Sequence, residues 1–151
     1  MVLTYKFKKE RLRNGGYAVR PRILVELTGS ESSIIVPALI DSGCDTTVIP
    51  EGIAKSIGLE LKGKKDKLYA FREASDVKHV SANITFLGKE YRQSVTLTIP
   101  SLIVLSKEGS KEEEDITLGV QGVFDSFEIL FKKQQNKIMF KPTKKNIFFK
   151  K

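Results

Sequence analysis

Short runs of alternating apolar and polar residues dominate the 151-residue chain. Alternation with a period of two is typical of β-strands that bury one face. Glycine, proline and polar clusters separate the runs, which favours tight turns and hairpins. Strands are predicted over residues 2–8, 22–27, 34–40, 68–71, 77–86, 91–99, 102–105, 127–131 and 137–141.

Two short helices interrupt the strand pattern. Residues 51–59 follow a proline, carry an apolar face and meet Gly58, which is a typical helix stop. Residues 120–127 predict the second helix. Pro37 lacks a backbone N–H, so its strand is expected to have an edge or a bulge there. Since the chain shows no internal repeat and no linker, it predicts one mainly β domain over residues 1–151.

Composition excludes several classes of protein. With 40% apolar and 29% charged residues, the chain is expected to fold. The first ten residues lack the apolar core of a signal peptide, and no apolar run is long enough to span a membrane, so a cytoplasmic location is expected. A single cysteine excludes an intramolecular disulfide and metal clusters of several thiolates.

The net charge of +8 is unevenly distributed. Residues 132–151 contain eight lysines and no acid, which is one signature of a nucleic-acid-binding surface. These lysines alternate with apolar residues, as on the solvated side of a strand. We therefore favour a solvated strand face, with nucleic-acid binding as an alternative that salt-sensitive binding would support.

One carboxylate ends an apolar run. Residues 34–40 are almost entirely apolar, and Asp41, Ser42 and Gly43 follow at once. An unpaired buried carboxylate is costly, so a core strand rarely ends on a charge that has no use. Gly43 permits a tight turn. Asp-Ser-Gly by itself is also a common structural turn, so the surrounding sequence decides between these interpretations.

Residues 38–48, Ala-Leu-Ile-Asp-Ser-Gly-Cys-Asp-Thr-Thr-Val, resemble the Asp-[Thr/Ser]-Gly-Ala-Asp-x-x-Val pattern of the retropepsin-like, single-lobe aspartic peptidases. Residues 116–119, Ile-Thr-Leu-Gly, are similar to the apolar-apolar-Gly segment that backs the active-site loop in that family. Leu118 and Gly119 match this segment. The resemblance covers about residues 25–140. It implies a closed, barrel-like, mainly β fold with one lobe per chain.

The resemblance implies that Asp41 is catalytic in an aspartic endopeptidase. Hydrolysis by this route uses two carboxylates that share one proton, because two carboxylates about 3 Å apart cannot both ionise. The chain has one Asp-Ser-Gly, so a two-fold homodimer is expected to supply the second aspartate. Peptides or unfolded proteins are the implied substrates.

Neighbouring residues take roles from the same resemblance. Ser42 is expected to bond across the two-fold axis, and Gly43 keeps the loop close to the substrate. Cys44 is expected to line a substrate pocket. Asp45 binds the substrate main chain in the family and pairs with an arginine that follows the backing glycine. This chain has Val120 at that position, so Arg22 or Arg20 is expected to replace the arginine.

A second departure concerns the flap, the hairpin that covers the substrate in this family. The corresponding residues 68–80 contain no glycine. A flap without glycine is expected to open less easily. Its tip is expected within residues 72–76, and the candidate substrate contacts are Tyr69, Phe71 and Arg72.

Other interpretations of the chemistry are weaker. Cys44 and His79 form a formal nucleophile and base, but nothing in the sequence places them together. We expect His79 to be an ordinary strand residue, and we expect no metal and no cofactor. The missing flap glycine and arginine favour one alternative function, a catalytically weak dimerisation or peptide-binding module. Residues 2–8 and 146–151 are candidate segments of the dimer interface.

Overall fold

The computed structural model describes residues 1–70, 73–107, 109, 115–143 and 148–150. Strands dominate it, as predicted. Two α-helices occur among these residues, α1 (Glu51–Ser56) and α2 (Val120–Ser126). The strands are β1 (Leu3–Tyr5), β2 (Lys8–Arg11), β3 (Tyr17–Arg20), β4 (Arg22–Thr28), β5 (Ser33–Ile40), β6 (Thr47–Pro50), β7 (Lys65–Ala70), β8 (Glu73–Leu87), β9 (Ser94–Val104), β10 (Ile116–Leu118), β11 (Phe127–Lys132), β12 (Lys137–Pro142) and β13 (Phe148–Lys150).

The largest sheet has the strand order β13-β9-β6-β10-β5-β4-β8-β7 among the described residues. Strand β8 is long enough to pair with both β4 and β9, so the sheet closes into a ring. Two of its pairings are parallel, β5 with β10 and β6 with β9. The predicted closed, mainly β fold is therefore confirmed.

At Pro37, strand β5 pairs with a neighbouring strand on one side only. It is opposite Leu24 of β4, and the pairing of β5 with β10 starts only at Ala38. The missing N–H of the proline therefore does not interrupt the ladder with β10. This position agrees with the predicted edge.

Two smaller sheets complete the fold. One has the order β1-β12-β11, and the other is the separate hairpin of β2 and β3. The single strand predicted over residues 2–8 is thus wrong, because β1 and β2 belong to different sheets. The chain turns between them, where the Phe7 amide donates to Asn136 Oδ1 at 3.0 Å. The predicted hairpin over residues 127–141 is confirmed by the pairing of β11 with β12.

Three buried phenylalanines join the ring to the three-stranded sheet. The ring centroids of Phe86 and Phe127 are 5.0 Å apart, and those of Phe127 and Phe140 are 5.1 Å apart. Both pairs meet edge to face, which the aromatic quadrupole favours. Tyr5 of β1 also packs its ring edge on Phe140, at 5.3 Å. The hydrophobic core is therefore continuous between the two sheets.

Helix α1 ends as its sequence predicts, although it stops at Ser56 rather than at residue 59. Gly58 has a φ of +75°, which is unfavourable for residues with a Cβ. Its amide donates to the Lys55 carbonyl and the Leu59 amide donates to the Ala54 carbonyl. This pair of bonds is the Schellman motif, which satisfies the last carbonyls of a helix.

The predicted strands over 91–99 and 102–105 are one continuous strand, β9. The prediction that it begins at Tyr91 was wrong. Residues Lys89–Tyr91 form a single 3₁₀ turn after β8, and both Glu90 and Tyr91 have a φ of +57°. Left-handed backbone in two successive residues that are not glycine is unusual, and alternation alone gives no signal of it.

The terminal strands pair within the chain itself. Strand β1 pairs with β12, and β13 pairs with β9; residues 144–147 and 151 lie outside the described residues. The first of the two predicted interface segments thus has an intrachain partner. In the part of the chain that is described, no helix has the length and apolar character needed to cross a membrane.

The core predicts a clear contrast between two isoleucines on strands of the same sheet. Ile84 is 0% exposed and Ile35 is 45% exposed. We expect Ile84→Ala to lower the free energy of unfolding by about 2–5 kcal/mol, through lost burial and a cavity. The matched control Ile35→Ala should cost less than about 1 kcal/mol. Urea denaturation followed by circular dichroism measures both, and equal losses would contradict this assignment of the core.

Candidate active site

Asp41 directly follows the last residue of β5 and begins a tight turn. Its backbone amide donates to the Leu118 carbonyl at 3.1 Å, which extends the parallel pairing of β5 and β10. The Gly43 amide donates to Asp41 Oδ1 at 2.9 Å, and the Cys44 amide donates to the Asp41 carbonyl at 3.2 Å. An aspartate that bonds the backbone two residues ahead forms an Asx turn. The turn therefore fixes the direction of the carboxylate.

The second predicted motif lies directly behind this turn. After Gly119, the Val120 amide donates to the Cys44 carbonyl and the Gln121 amide to the Asp45 carbonyl, each at 2.8 Å. A Cβ on Gly119 would lie 2.4 Å from the carbonyl carbon of Thr46. The two chain segments can approach this closely only because the residue is glycine. The predicted backing role of Leu118 and Gly119 agrees with this geometry.

Sequence reasoning missed the part that Thr47 plays in joining the segments. Thr47 is fully buried at the start of β6, and its hydroxyl accepts the Gly119 amide at 3.2 Å. Without that acceptor a buried N–H would be unsatisfied, which is unfavourable. The signal available in the sequence was a hydroxyl residue between the Asp41 turn and the apolar pair Val48-Ile49.

The polar residues of the turn face outward. Ser42, Gly43 and Asp45 are exposed, and Asp41 is partly exposed. Among the described residues no salt bridge involves Asp41 or Asp45. The turn thus presents a carboxylate, a hydroxyl and a second carboxylate to whatever lies above it. This set can accept and donate protons and can hydrogen-bond an extended backbone.

The predicted arginine partner of Asp45 is wrong. Arg22 Nε instead lies 2.5 Å from Glu10 Oε1, and the Arg22 guanidinium also contacts Asp115. Arg20 pairs with the same Glu10 carboxylate at 3.3 Å. Glu10 comes from the β2–β3 hairpin and Asp115 directly precedes β10. Neither acid belongs to the Asp-Ser-Gly motif or to its backing segment. The two motifs therefore gave no indication of these ion pairs.

The Cys44 thiol does not have the surroundings of a nucleophile. It donates to the Thr46 carbonyl at 3.0 Å, and burial raises its pKa, with the bond to Thr46 acting in the opposite direction. A raised pKa lowers the thiolate fraction at neutral pH. His79 does not contact the thiol. Its Nε2 lies 3.0 Å from Asp66 Oδ2, so the weak cysteine–histidine interpretation gains no support.

Strands β7 and β8 form the hairpin at the position of the expected flap. Ala70 is opposite Glu73, and the predicted contacts Phe71 and Arg72 lie outside the described residues. Residues 73–76 are already part of β8, so the predicted tip over 72–76 was placed too far along the chain. Tyr69 is 74% exposed, close to the end of β7.

His79 was expected to be an ordinary strand residue. It lies on β8 and forms a specific side-chain hydrogen bond. It joins β8 to β7 through Asp66, whose pKa is lowered by this bond and by the Lys67 amide. Both side chains are exposed, so the contribution of the pair to stability is small. No group of three or more histidine, cysteine or acidic side chains among the described residues is arranged to hold a metal ion.

The hydrogen bond behind the turn can be tested without changing any exposed group. Thr47→Val keeps the side-chain shape but removes the acceptor of the Gly119 N–H. We expect the free energy of unfolding to fall by about 1–3 kcal/mol, the cost of leaving a buried donor unsatisfied. The control Thr46→Val changes a neighbouring half-buried threonine and should be close to neutral. Equal effects of the two substitutions in urea denaturation would contradict the role of Thr47.

Comparison with known proteins supports the fold. No protein-family profile and no curated protein matches the chain. Among solved structures, a retropepsin-like aspartic protease from Rickettsia conorii superimposes with a TM-score of 0.52 and 15% identity, covering 93% of this chain and 91% of that one. The retroviral protease-like domain of Ddi1 from Leishmania major gives a TM-score of 0.46 and 13% identity, over 86% and 94% of the two chains. EIAV protease in complex with an inhibitor gives 0.33 and 20%, over 66% and 81%. The superposition on the Rickettsia conorii protease shows that the chain has the retropepsin-like fold that its two motifs predict.

Proposed function

We propose that this protein is an aspartic endopeptidase whose functional unit is a homodimer. The observation that carries the proposal is the Asp41 turn. Its carboxylate is oriented by the Gly43 amide, backed by the Leu118–Gly119 segment and open to solvent. A merely structural Asx turn does not require a second chain segment to brace it from behind. An exposed carboxylate that is held this rigidly is suited to catalysis.

Two copies of Asp41 supply the chemistry. With one proton shared between them, the ionised carboxylate takes a proton from water while the neutral one donates to the carbonyl oxygen of the substrate. The water oxygen bonds to the carbonyl carbon and gives a tetrahedral intermediate with two hydroxyl groups. The carboxyl group that took the water proton then gives it to the amide nitrogen, the C–N bond breaks to release the amine, and one hydroxyl returns its proton to the other carboxylate as the C=O bond re-forms. Each chain contributes one oriented carboxylate, so the proposed mechanism requires the partner.

The free edge of β11 supports a site for that partner. Within the described residues β11 pairs only with β12, so one row of its backbone groups is available to another chain. Leu130 is 50% exposed and Phe131 is 43% exposed on this edge strand. Strand β11 directly follows α2, which begins after Gly119. We infer that two copies meet at β11 in an isologous pairing.

An extended polypeptide is the proposed substrate. Exposed Ser42 and Asp45 offer hydrogen-bonding groups along one side of the turn, and the hairpin of β7 and β8 would cover the other side. Tyr69 offers a large exposed ring near the end of that hairpin. Recognition of the main chain would give broad acceptance of unfolded segments, with the side-chain preference set by the flanking pockets.

One observation favours a second candidate function. The loop carries Val120 where the family resemblance implies an arginine, and Asp45 has no ion-pair partner among the described residues. A loop without that brace would hold the substrate less firmly. The alternative is therefore a dimeric peptide-binding module with little or no hydrolysis.

Replacing the proposed catalytic carboxylate separates the two candidates. We expect Asp41→Asn to abolish cleavage of a denatured protein substrate between about pH 3 and 7, the range in which a coupled carboxylate pair titrates. The amide keeps the Oδ1 acceptor for Gly43 but cannot act as a general base. Gel electrophoresis of the products at each pH measures the loss.

Two controls accompany this experiment. Cys44→Ala should retain cleavage, since the thiol has no catalytic part in the proposal. Sedimentation should give the same mass for Asp41→Asn as for the original chain. If neither protein cleaves the substrate at any pH while both bind it, the peptide-binding module is the correct function.

The proposed contact at β11 predicts that assembly and activity are lost together. Leu130→Asp places a charge in the edge that the two copies would share, and we expect the dimer to dissociate at least tenfold more readily, about 1.4 kcal/mol. Cleavage should fall in parallel with the dimer fraction. The control Ile35→Asp adds the same charge to a comparably exposed isoleucine on β5. A monomer that is fully active would overturn the homodimer proposal.

A further inference from the structure

The basic residues of the chain are concentrated in two segments. Residues 6–22 hold seven lysine or arginine residues and a single acid, Glu10. Residues 132–151 hold eight lysines and no acid, whereas residues 23–131 hold eleven basic and seventeen acidic residues. The positive charge is thus confined to regions outside the acidic body of the domain. The first segment includes the β2–β3 hairpin, which joins neither of the other sheets among the described residues.

A cavity of about 680 Å³ lies at the root of this hairpin. It is enclosed by the chain between β1 and β2, by β4 and β5, and by the turn between β8 and β9. Seven apolar or aromatic residues line it: Tyr5, Phe7, Ile23, Leu24, Pro37, Leu87 and Tyr91. Exposed Lys6, Lys8 and Lys89 also contribute to its lining. The exposed acid Glu90 lines the cavity as well and pairs with Arg92 at 3.0 Å. Hence the cavity combines an apolar wall with three exposed lysines and one paired acid, and its volume is that of a ligand site.

Two tyrosines contribute to the wall in different ways. The hydroxyl of Tyr5 is buried and has no hydrogen-bond partner within the described part of the chain, and burial raises its pKa, so the group stays protonated. Tyr91 also lines the cavity, is 60% exposed and has left-handed backbone. Backbone of that kind recurs where a side chain must be held against a ligand.

Ion pairs and a backbone hydrogen bond link the cavity to the candidate active site. Arg22, which contributes to the lining, is fixed by Glu10 of the hairpin and by Asp115 next to β10. The preceding Pro21 carbonyl accepts the amide of Ile40 at 2.9 Å. Ile40 directly precedes Asp41. Pro21 and Arg22 thus contact the hairpin, the cavity and the strand that leads into the Asp41 turn.

We propose that this cavity is a docking site for an acidic segment of the polypeptide substrate, with one apolar side chain as its anchor. The proposal rests on the endopeptidase function, because the docked segment is a substrate only if the protein cleaves it. The anchor fills the apolar wall between Leu24 and Tyr91. Flanking carboxylates face Lys6 and Lys8, and the main chain of the segment brings acceptors to the edge of β1, which pairs only with β12 among the described residues.

The lining distinguishes a peptide from a nucleic acid. Nucleic-acid binding rests on phosphate contacts from basic side chains, with bases stacked on exposed rings. A surface of isoleucine, leucine and proline contributes to neither kind of contact. An acidic peptide with an apolar anchor uses both the wall and the surrounding charge. The same charges would repel a basic segment, so docking would select among unfolded chains before cleavage.

The test measures binding with catalysis removed. The full-length Asp41→Asn protein is titrated into a short fluorescein-labelled peptide in which Asp and Glu flank a single Phe, and fluorescence anisotropy gives the affinity. We expect Lys6→Glu with Lys8→Glu to weaken binding about tenfold, from two reversed exposed charges. Lys133→Glu with Lys137→Glu makes an equal charge change at two exposed positions of the other basic segment, outside β11, and should stay within about twofold.

Further variants separate the wall from the charge. Leu24→Asp, at a position that is 47% exposed, should weaken binding about tenfold, as should a peptide with Ser in place of Phe. If both double lysine variants lost the same affinity for the peptide, the proposal would be overturned, because the net positive charge of the protein would then explain binding. Tighter binding of a single-stranded oligonucleotide to the same residues would overturn it in favour of nucleic acid. A changed sedimenting mass of the Lys6→Glu, Lys8→Glu variant would identify the cavity as a contact between copies.

The outcome for cleavage is independent of the outcome for docking. In the catalytically intact chain the Lys6→Glu, Lys8→Glu variant should raise KM for an acidic substrate several-fold and leave kcat unchanged, because docking adds uniform binding. Cleavage with no cavity-dependent binding refutes the docking site and leaves the endopeptidase standing. Cavity-dependent binding with no cleavage by the original chain refutes the endopeptidase and leaves the docking site standing.

Discussion

The parallel pairing of β5 with β10 is the interaction on which the rest of the structure depends. It brings the end of β5 beside the end of β10, so the two segments that follow these strands leave the sheet side by side. Amide-to-carbonyl bonds then cross between the segments at Asp41, Val120 and Gln121. Because backbone groups make these bonds, the link between the two segments does not depend on the side chains of the turn. They remain available for chemistry.

The same strand, β10, is also part of the ring that the pairing of β8 with β4 and β9 closes. It pairs with β5 on one side and with β6 on the other, so it connects these two strands. A three-residue strand has few bonds of its own, and the Gly119 amide adds one through the buried hydroxyl of Thr47. The Asp41 turn is therefore braced by a strand of the closed ring. Loosening either would loosen both.

Local chemistry was predictable from the sequence, and long-range partners were not. The turn after Asp41 follows from the bond between its own carboxylate and the Gly43 amide. The end of α1 follows from the steric freedom of Gly58 and from capping bonds only a few residues long. Alternation also located most strands. By contrast, the partners of Arg22 lie on a separate hairpin and next to β10. The left-handed Tyr91 reflects a turn that no residue preference marks. Such features depend on tertiary contacts, which a periodic pattern does not encode.

The chain completes its core alone but holds only half of the proposed catalytic pair. The buried phenylalanines and the closed ring require no partner, whereas the proposed chemistry needs two carboxylates. Folding and activation are then separate equilibria. Dilution would remove activity by mass action while each subunit stays folded. The lining of the proposed docking site includes neither Asp41 nor any residue of β11. Docking and assembly therefore use different surfaces of the chain, so the proposed substrate binding does not require the assembled active site.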